Sequence, residues 1–246
     1  MKAFLAIAGL VALLGVPKAN ASIEVRIINV VGGVAVGDTG WIIGTGDGIN
    51  SAIFSGTVGN YNVTGDTAVS HVGTGSNPLL DMAYNATALT NANPGTIIIE
   101  AMANTYTTAS PGFEFVDNGN SGFTTGMFTD AAWGGNSNNI CAGGTSACWN
   151  GTTNPAPSGT PTVLSLIGSG GPFASPTTWN VDKFGGSSTV SPYALGIAVM
   201  LANPTGTSTM SGDAKINAVP EPASVALLGG MLLFVGTTLR RRARRT

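Results

Sequence analysis

Along the chain, large apolar side chains recur at every second position in short runs, and clusters of Gly, Pro, Asn and Asp separate the runs. That period predicts strands with one buried face rather than helices. The clearest run is Tyr193-Ala194-Leu195-Gly196-Ile197-Ala198-Val199-Met200-Leu201, whose bulky members alternate with mostly small ones. It reads as a strand that packs one face and leaves the other thin. Ile23, Val25 and Ile27 repeat the pattern near the start, and Met82, Tyr84, Ala86 and Ala88 repeat it more weakly. Phe113 and Phe115 flank Glu114 in another candidate, and residues 162–167 form a further apolar run. Residues 96–103, with Ile97-Ile98-Ile99, read instead as a strand buried on both sides.

Between the runs lie Asn93-Pro94-Gly95, Ser110-Pro111-Gly112, Asp117-Asn118-Gly119 and Gly170-Gly171-Pro172, each with turn chemistry. No long helical period competes with them. Short strands at frequent spacing, without a βαβ rhythm, predict an all-β fold: a single antiparallel β-sandwich domain spanning 22–218. Residues 117–160 are mostly Asn, Gly, Thr and Ser around isolated bulky groups such as Phe123, Phe128 and Ile140, and read as long surface loops. Residues 208–217 fit either a last strand or a linker.

The two ends follow a different pattern. Lys2 precedes an apolar run from Ala3 to Val16, and Ala19-Asn20-Ala21 offers a small-x-small cleavage site, the layout of a signal peptide over 1–21. At the other end, Val219-Pro220-Glu221-Pro222 leads into an uncharged run, Ala223 to Leu239, and then into Arg240, Arg241, Arg242, Arg244 and Arg245. At ~1.5 Å per residue a helix over 223–239 covers about 25 Å, just under a ~30 Å hydrocarbon core. It reads as a single transmembrane helix. The arginines form a basic stop that stays cytoplasmic, so the domain before the helix faces outward, as the N-terminal signal also requires. Pro222 disfavours helix at Glu221 and suits the first turn of the helix that follows, which leaves an extended segment beside the membrane.

In motif, span, charge and terminal position, segment 219–246 resembles the PEP-CTERM sorting domain. The resemblance implies recognition by exosortase, a membrane-embedded cysteine transpeptidase-like enzyme, after the signal peptidase has acted. It also implies passage through the inner membrane of a Gram-negative bacterium to the cell surface or the extracellular polysaccharide matrix. It assigns the exported domain no activity. Asn77-Pro78-Leu79-Leu80-Asp81 leading to Gly95-Thr96-Ile97-Ile98-Ile99, with the Thr-rich stretch 106–108, resembles the layout of exported PEP-CTERM β-domains and supports the sandwich.

Charge narrows the partners. Seven of the ten basic residues lie in the two terminal signals, which leaves Arg26, Lys183 and Lys215 against eleven acids before Val219. So acidic a domain lacks the clustered Lys and Arg that nucleic acid requires, and no nucleic-acid partner is expected. Cys141 and Cys148 are the only cysteines. On the oxidising side of a membrane, with turn residues between them, they predict a disulfide. Two thiols with one distant histidine make a poor zinc set.

Catalytic motifs are missing. His71, the only histidine, sits in Ser-His-Val-Gly without a nucleophile motif, and the chain has no Gly-x-Ser-x-Gly elbow, P-loop or dinucleotide fingerprint. Glu100, Glu114, Asp81 and Asp117 lie in or beside candidate strands and could pair for glycoside hydrolysis, a pairing the sequence does not show. Asp117-Asn118-Gly119-Asn120-Ser121-Gly122 offers oxygen ligands for calcium without the spacing of a known calcium loop. Trp41, Trp133, Trp149 and Trp179 stand near Gly-, Asn- or Thr-rich segments, where exposed coplanar rings would mark a carbohydrate platform. Asn62, Asn85 and Asn150 begin Asn-x-Ser/Thr triplets, which so Asn- and Thr-rich a chain forms by chance. No catalytic residue, metal or cofactor is expected. The reading is a non-enzymatic structural or adhesive protein of the surface or matrix. The alternative is a carbohydrate-binding module of the exopolysaccharide, and a carboxylate hydrolase comes third.

Overall fold

The computed structural model describes residues 23–44, 51–69, 79–90, 93–106, 112–135, 164–174, 177–185 and 193–219. They form the strands β1 (Ile23–Val31), β2 (Val34–Asp38), β3 (Ile42–Ile43), β4 (Ser51–Val58), β5 (Tyr61–Val69), β6 (Leu80–Ala88), β7 (Thr96–Tyr106), β8 (Phe113–Gly122), β9 (Thr125–Gly135), β10 (Leu164–Phe173), β11 (Thr177–Gly185), β12 (Tyr193–Thr205) and β13 (Thr209–Ala218). Sheet A runs β10-β9-β12-β7-β1-β2, with β3 also on β1, and sheet B runs β11-β8-β13-β6-β5-β4. Every pairing is antiparallel. The described residues contain no helix, and the two sheets fit a β-sandwich.

Alternation places the core. Ile23, Val25 and Ile27 of β1, Ile97 and Ile99 of β7, and Leu195, Ile197, Val199 and Leu201 of β12 pack against Leu80, Met82 and Ala86 of β6, Phe113 and Phe115 of β8, and Ala214 and Ile216 of β13. Burying each of the large ones contributes about 1.5–3 kcal/mol. At the β9–β11 end the core is aromatic, with the Phe128 and Trp179 rings stacked at a centroid distance of 3.8 Å and Tyr84 and Phe173 flanking Phe128 at 6.4 and 6.3 Å. Polar ties cross between the sheets. Asn29, fully buried at a bulge in β1, donates to the carbonyls of Pro94 and Thr96 at 3.0 Å and accepts from the Asn60 N–H at 2.9 Å. The turn it holds depends on Gly59, whose φ of 57° is the left-handed conformation that glycine tolerates.

The structure departs from the sequence reading in three places. Residues 117–122 and 125–135, expected in surface loops, belong to β8 and β9, and Asp117-Asn118-Gly119 is strand rather than turn. The physical reason is packing. Gly119 faces inward beneath the Trp179 ring, where a Cβ would come within 2.7 Å of Cε2, so a turn-forming residue here makes room for an aromatic. Second, the thin face of β12 is buried too: Ala194, Ala198 and Met200 are as inaccessible as their bulky neighbours. Third, Gly170-Gly171-Pro172, expected as a turn, lies within β10, at an irregularity in its pairing with β9. Of the two readings open for 208–217 the strand holds, since residues 209–218 pair in the middle of sheet B, between β8 and β6. Residues 1–22, the cysteines and 220–246 lie outside the described residues, among which no helix is long and apolar enough to cross a membrane.

Candidate functional site: the outer face of sheet B

Side chains of successive residues alternate between the faces of a strand, so the inward set of sheet B fixes the outward set. With Met82, Tyr84 and Ala86 inside, Ala83, Asn85 and Thr87 point out. With Phe115, Asp117 and Gly119 inside, Val116, Asn118 and Asn120 point out. The strand registers then align these outward residues into rows. One row runs Thr178–Asn120–Ser211–Asn85–Thr64–Ser55 across β11, β8, β13, β6, β5 and β4. Every strand of the sheet contributes one hydroxyl or amide to it. All six are exposed except Ser211, which is half-buried and donates to Asn120 Oδ1 at 3.3 Å.

The row borders an open groove of about 450 Å³, within the ~300–1,000 Å³ span of small-ligand clefts. Ile53 and Ser55 of β4, Thr64 of β5, Ala83 and Asn85 of β6 and Ser211 of β13 line it, with Phe54, Gly65, Tyr84 and Gly212 beside them. Small residues make the depression: Ala83 sits where its neighbours carry longer side chains, and Gly65 and Gly212 are register partners of Tyr84. Ile53, 67% exposed, stands as an apolar wall on one side.

Acids gather at one margin of this face. Lys215 pairs across strands with Asp81 and Val116, and its Nζ lies 3.4 Å from Asp213 Oδ2. Asp81 is pushed up to about 7, first by burial and then by its hydrogen bond and charge repulsion with Asp213. Glu114 accepts from Asn217 Nδ2 at 2.8 Å further along the margin.

A second acid pair lies inside the sandwich. Asp117 of sheet B and Asp130 of sheet A are 0% and 1% exposed. Tyr84 Oη is 3.0 and 3.1 Å from the two Asp117 oxygens, and the Gly170 N–H donates to Asp130 Oδ1. Burial raises both carboxyl groups, and Asp117, which also hydrogen-bonds to Asp130 and feels its charge, reaches about 9. A protonated acid donating to its neighbour is the arrangement these shifts describe. Water and substrate do not reach it.

On the outer side of sheet A, Arg26 is 7% exposed at its side chain and makes a two-pronged ion pair with Asp38, Nε to Oδ1 at 3.0 Å and Nη2 to Oδ2 at 2.6 Å. Its guanidinium lies 5.9 Å from the centre of the Trp41 ring. Glu100, the register partner of Arg26, is buried and raised to about 7 by desolvation, against the pull of Arg26.

The residues singled out in the sequence are therefore dispersed. Asp81, Asp117, Glu100 and Glu114 occupy four separate settings, and none pairs with another of the set. Asp81 and Asp213 are within hydrogen-bonding reach, closer than the ~5–9.5 Å that glycoside hydrolysis requires. The calcium reading fails on strand geometry, since Asp117 points inward while Asn118 and Asn120 point outward. Among the described residues no group of three or more His, Cys, Asp or Glu could hold a metal. Trp179 is core, Trp133 is buried with Ala131 and Ala198 on the outer side of sheet A, and Trp41 is half-buried under Arg26, so these three form no coplanar platform. Trp149, His71, Cys141, Cys148, Asn150 and the sorting motif from Pro220 onward lie outside the described residues, while Asn62 and Asn85 are exposed on sheet B. The Asn, Ser and Thr row went unread, although each member occupies the polar alternate of its own strand.

No family model and no curated protein matches the chain. Solved structures similar to it include TmCBM61 in complex with β-1,4-galactotriose, at 9% identity and a TM-score of 0.28, covering 72% of this chain and 92% of that one. The N-terminal cellulose-binding domain of Cellulomonas fimi β-1,4-glucanase C is similar at 9% identity and a TM-score of 0.26, covering 66% and 90%. The CBM22-1 xylan-binding domain of Paenibacillus barcinonensis Xyn10C is similar at 6% identity and a TM-score of 0.23, covering 72% and 85%.

Proposed function

We propose that the domain is an exported, non-catalytic glycan-binding β-sandwich, and that its adhesive surface is the outer face of sheet B. The observation that carries this is the continuous row of short hydrogen-bonding side chains from Ser55 to Thr178, set beside a groove with an apolar wall. Sugars present alternating hydroxyls and C–H faces. Amides and hydroxyls on a rigid sheet match the former, and Ile53 with Ala83 matches the latter. Each neutral hydrogen bond contributes about 0.5–1.5 kcal/mol net, so useful affinity needs several in line, which a six-strand row supplies. Affinity electrophoresis of the full chain through gels containing neutral polysaccharides tests the reading. Retardation is expected, and Asn85→Ala with Asn120→Ala should abolish it. Equal retardation of the double variant would overturn it.

Sorting by exosortase is the second part of the proposal. It is supported by Val219-Pro220-Glu221-Pro222, the apolar run and the arginine cluster. It is also supported by the end of β13 at Ala218, after which the Val219 N–H bonds to the Gly112 carbonyl. The Val219-Pro220-Glu221-Pro222 motif follows directly on the last strand residue, Ala218. Fractionation with intact-mass measurement, with and without the sorting enzyme, tests this. A surface product lacking residues beyond the Pro-Glu-Pro segment is expected only with the enzyme, and a surface product retaining the arginines would refute it.

A further inference from the structure

The acid margin and the polar row share one face of sheet B, and their separation along the strands bears on the kind of glycan this face accepts. The row Thr178–Asn120–Ser211–Asn85–Thr64–Ser55 lies at right angles to the strands. Strands are ~4.8 Å apart, so it offers one hydrogen-bonding side chain about every 4.8 Å over roughly 24 Å. That repeat is close to the length of one pyranose residue in an extended chain. None of the six side chains is aromatic, and the open groove runs along four of them, Ser55, Thr64, Asn85 and Ser211. A ligand is therefore held by its equatorial hydroxyls, strand after strand, with only Ile53 and Ala83 under its C–H face.

Charge on the same face selects further. Among the described outward side chains of sheet B, Asp81, Asp182, Asp213 and Glu114 are acids and Lys215 is the cation, already engaged by Asp213. Asp81 and Lys215 face each other two positions along their strands from Ala83 and Asp213, the row next to the hydrogen-bonding one. A carboxylate-bearing sugar laid along the Asn and Ser side chains would meet this margin and find no uncommitted cation to pair with. Resting on the glycan-binding reading above, we propose that the ligand is an uncharged, linear glycan lying across the strands, one sugar to a strand, and that the Asp81–Asp213 margin turns anionic polymers away.

Titration calorimetry of the full chain in detergent, at pH 8 and low salt, tests this with four probes: cellohexaose, xylohexaose, β-1,4-galactohexaose and hexagalacturonate. At least one neutral hexaose is expected to bind, and its disaccharide to bind at least about ten-fold more weakly, because two of six strands then contribute. Hexagalacturonate should bind about ten-fold or more below the best neutral hexaose. The gap should close as salt shortens the ~10 Å screening length of 0.1 M ionic strength, and also in the Asp81→Asn/Asp213→Asn variant. Hexagalacturonate binding as tightly as the neutral chains, or a disaccharide binding as tightly as its hexaose, would overturn this inference while leaving glycan binding in place. Failure of all four probes to bind would overturn the glycan-binding reading and the inference together.

Discussion

The outer faces of the two sheets are built from the same alternation and have opposite characters. On sheet A the outward positions of β1, β7, β12 and β9 include Ile28, Ile98, Met200, Ala198, Ala131 and Trp133, all buried, and even Arg26 and Glu100 there are nearly inaccessible. On sheet B the outward row Thr178–Asn120–Ser211–Asn85–Thr64–Ser55 is made of Asn, Ser and Thr, and all but the half-buried Ser211 are exposed. One face is covered and the other is open to solvent. An Asn on sheet B costs the fold little and is available to a ligand, whereas an apolar residue on sheet A is committed to stability. The comparison therefore predicts that stability and binding separate by face.

The largest effect should come from sheet A. Ile98 is fully buried on the outer side and packs with Met200 and Ala202, outside the main core. If that side is as well packed as its burial implies, Ile98→Ala should cost about 2–5 kcal/mol, as in any core. Denaturant unfolding measures it. A loss below about 1 kcal/mol would show the outer side of sheet A to be a loosely covered surface and would erase the contrast.

A second effect depends on pH and comes from the interior acids. A carboxyl group whose folded pKa lies above its unfolded value of ~3.9–4.3 holds a proton that the unfolded chain has already released. Its contribution to stability is fully present below the unfolded value and is lost as pH rises through the folded one. Glu100, raised to about 7, makes stability fall between roughly pH 4 and 7. The Asp117–Asp130 pair, with Asp117 raised to about 9, extends that fall to about pH 9. The melting temperature should thus decline steadily from mild acid to alkali. Asp117→Asn keeps a hydrogen-bonding group beside Tyr84 and Asp130 and should flatten the alkaline limb, and Glu100→Gln should flatten the limb below neutrality. An unchanged alkaline slope in Asp117→Asn would mean that the pair holds no proton of its own.

Much of this architecture was legible in the residues. Period-two runs locate β1, β6, β12 and the start of β8, the continuous apolar run over 96–103 locates β7, and an all-β antiparallel fold follows from them with the Gly- and Pro-marked turns. Two things were not legible. The inward alternates of β8 after Phe113 and Phe115 are Asp117, Gly119 and Ser121, so the hydrophobic period stops halfway along the strand, and its turn-like second half reflects the space that Trp179 and the Asp130 carboxyl take up opposite it. The polar row was hidden for a topological reason. Its six members come from strands whose order in the sheet is not their order in the chain, so Asn120 and Ser211 are neighbours in space and 91 residues apart in sequence. Composition shows abundant hydroxyls and amides, and only the register shows them aligned.

The smallest effect is the one that tests the proposed binding face. Asn85 is exposed on β6, flanked by Ser211 on one side and Thr64 on the other. Its removal uncovers no buried donor and opens no cavity, so Asn85→Ala should change unfolding free energy by less than about 0.5 kcal/mol. Any gain would come from Ala replacing a residue disfavoured in strands. The same substitution should weaken glycan binding about five-fold, the worth of one hydrogen bond near 1 kcal/mol. Measured on one preparation, the two numbers should differ in kind as well as size, with a melting curve that overlays the parent and a binding isotherm that does not. A variant that lost stability and affinity in proportion would place Asn85 in the packing of the sheet, and the outer face of sheet B would then be a structural surface like that of sheet A.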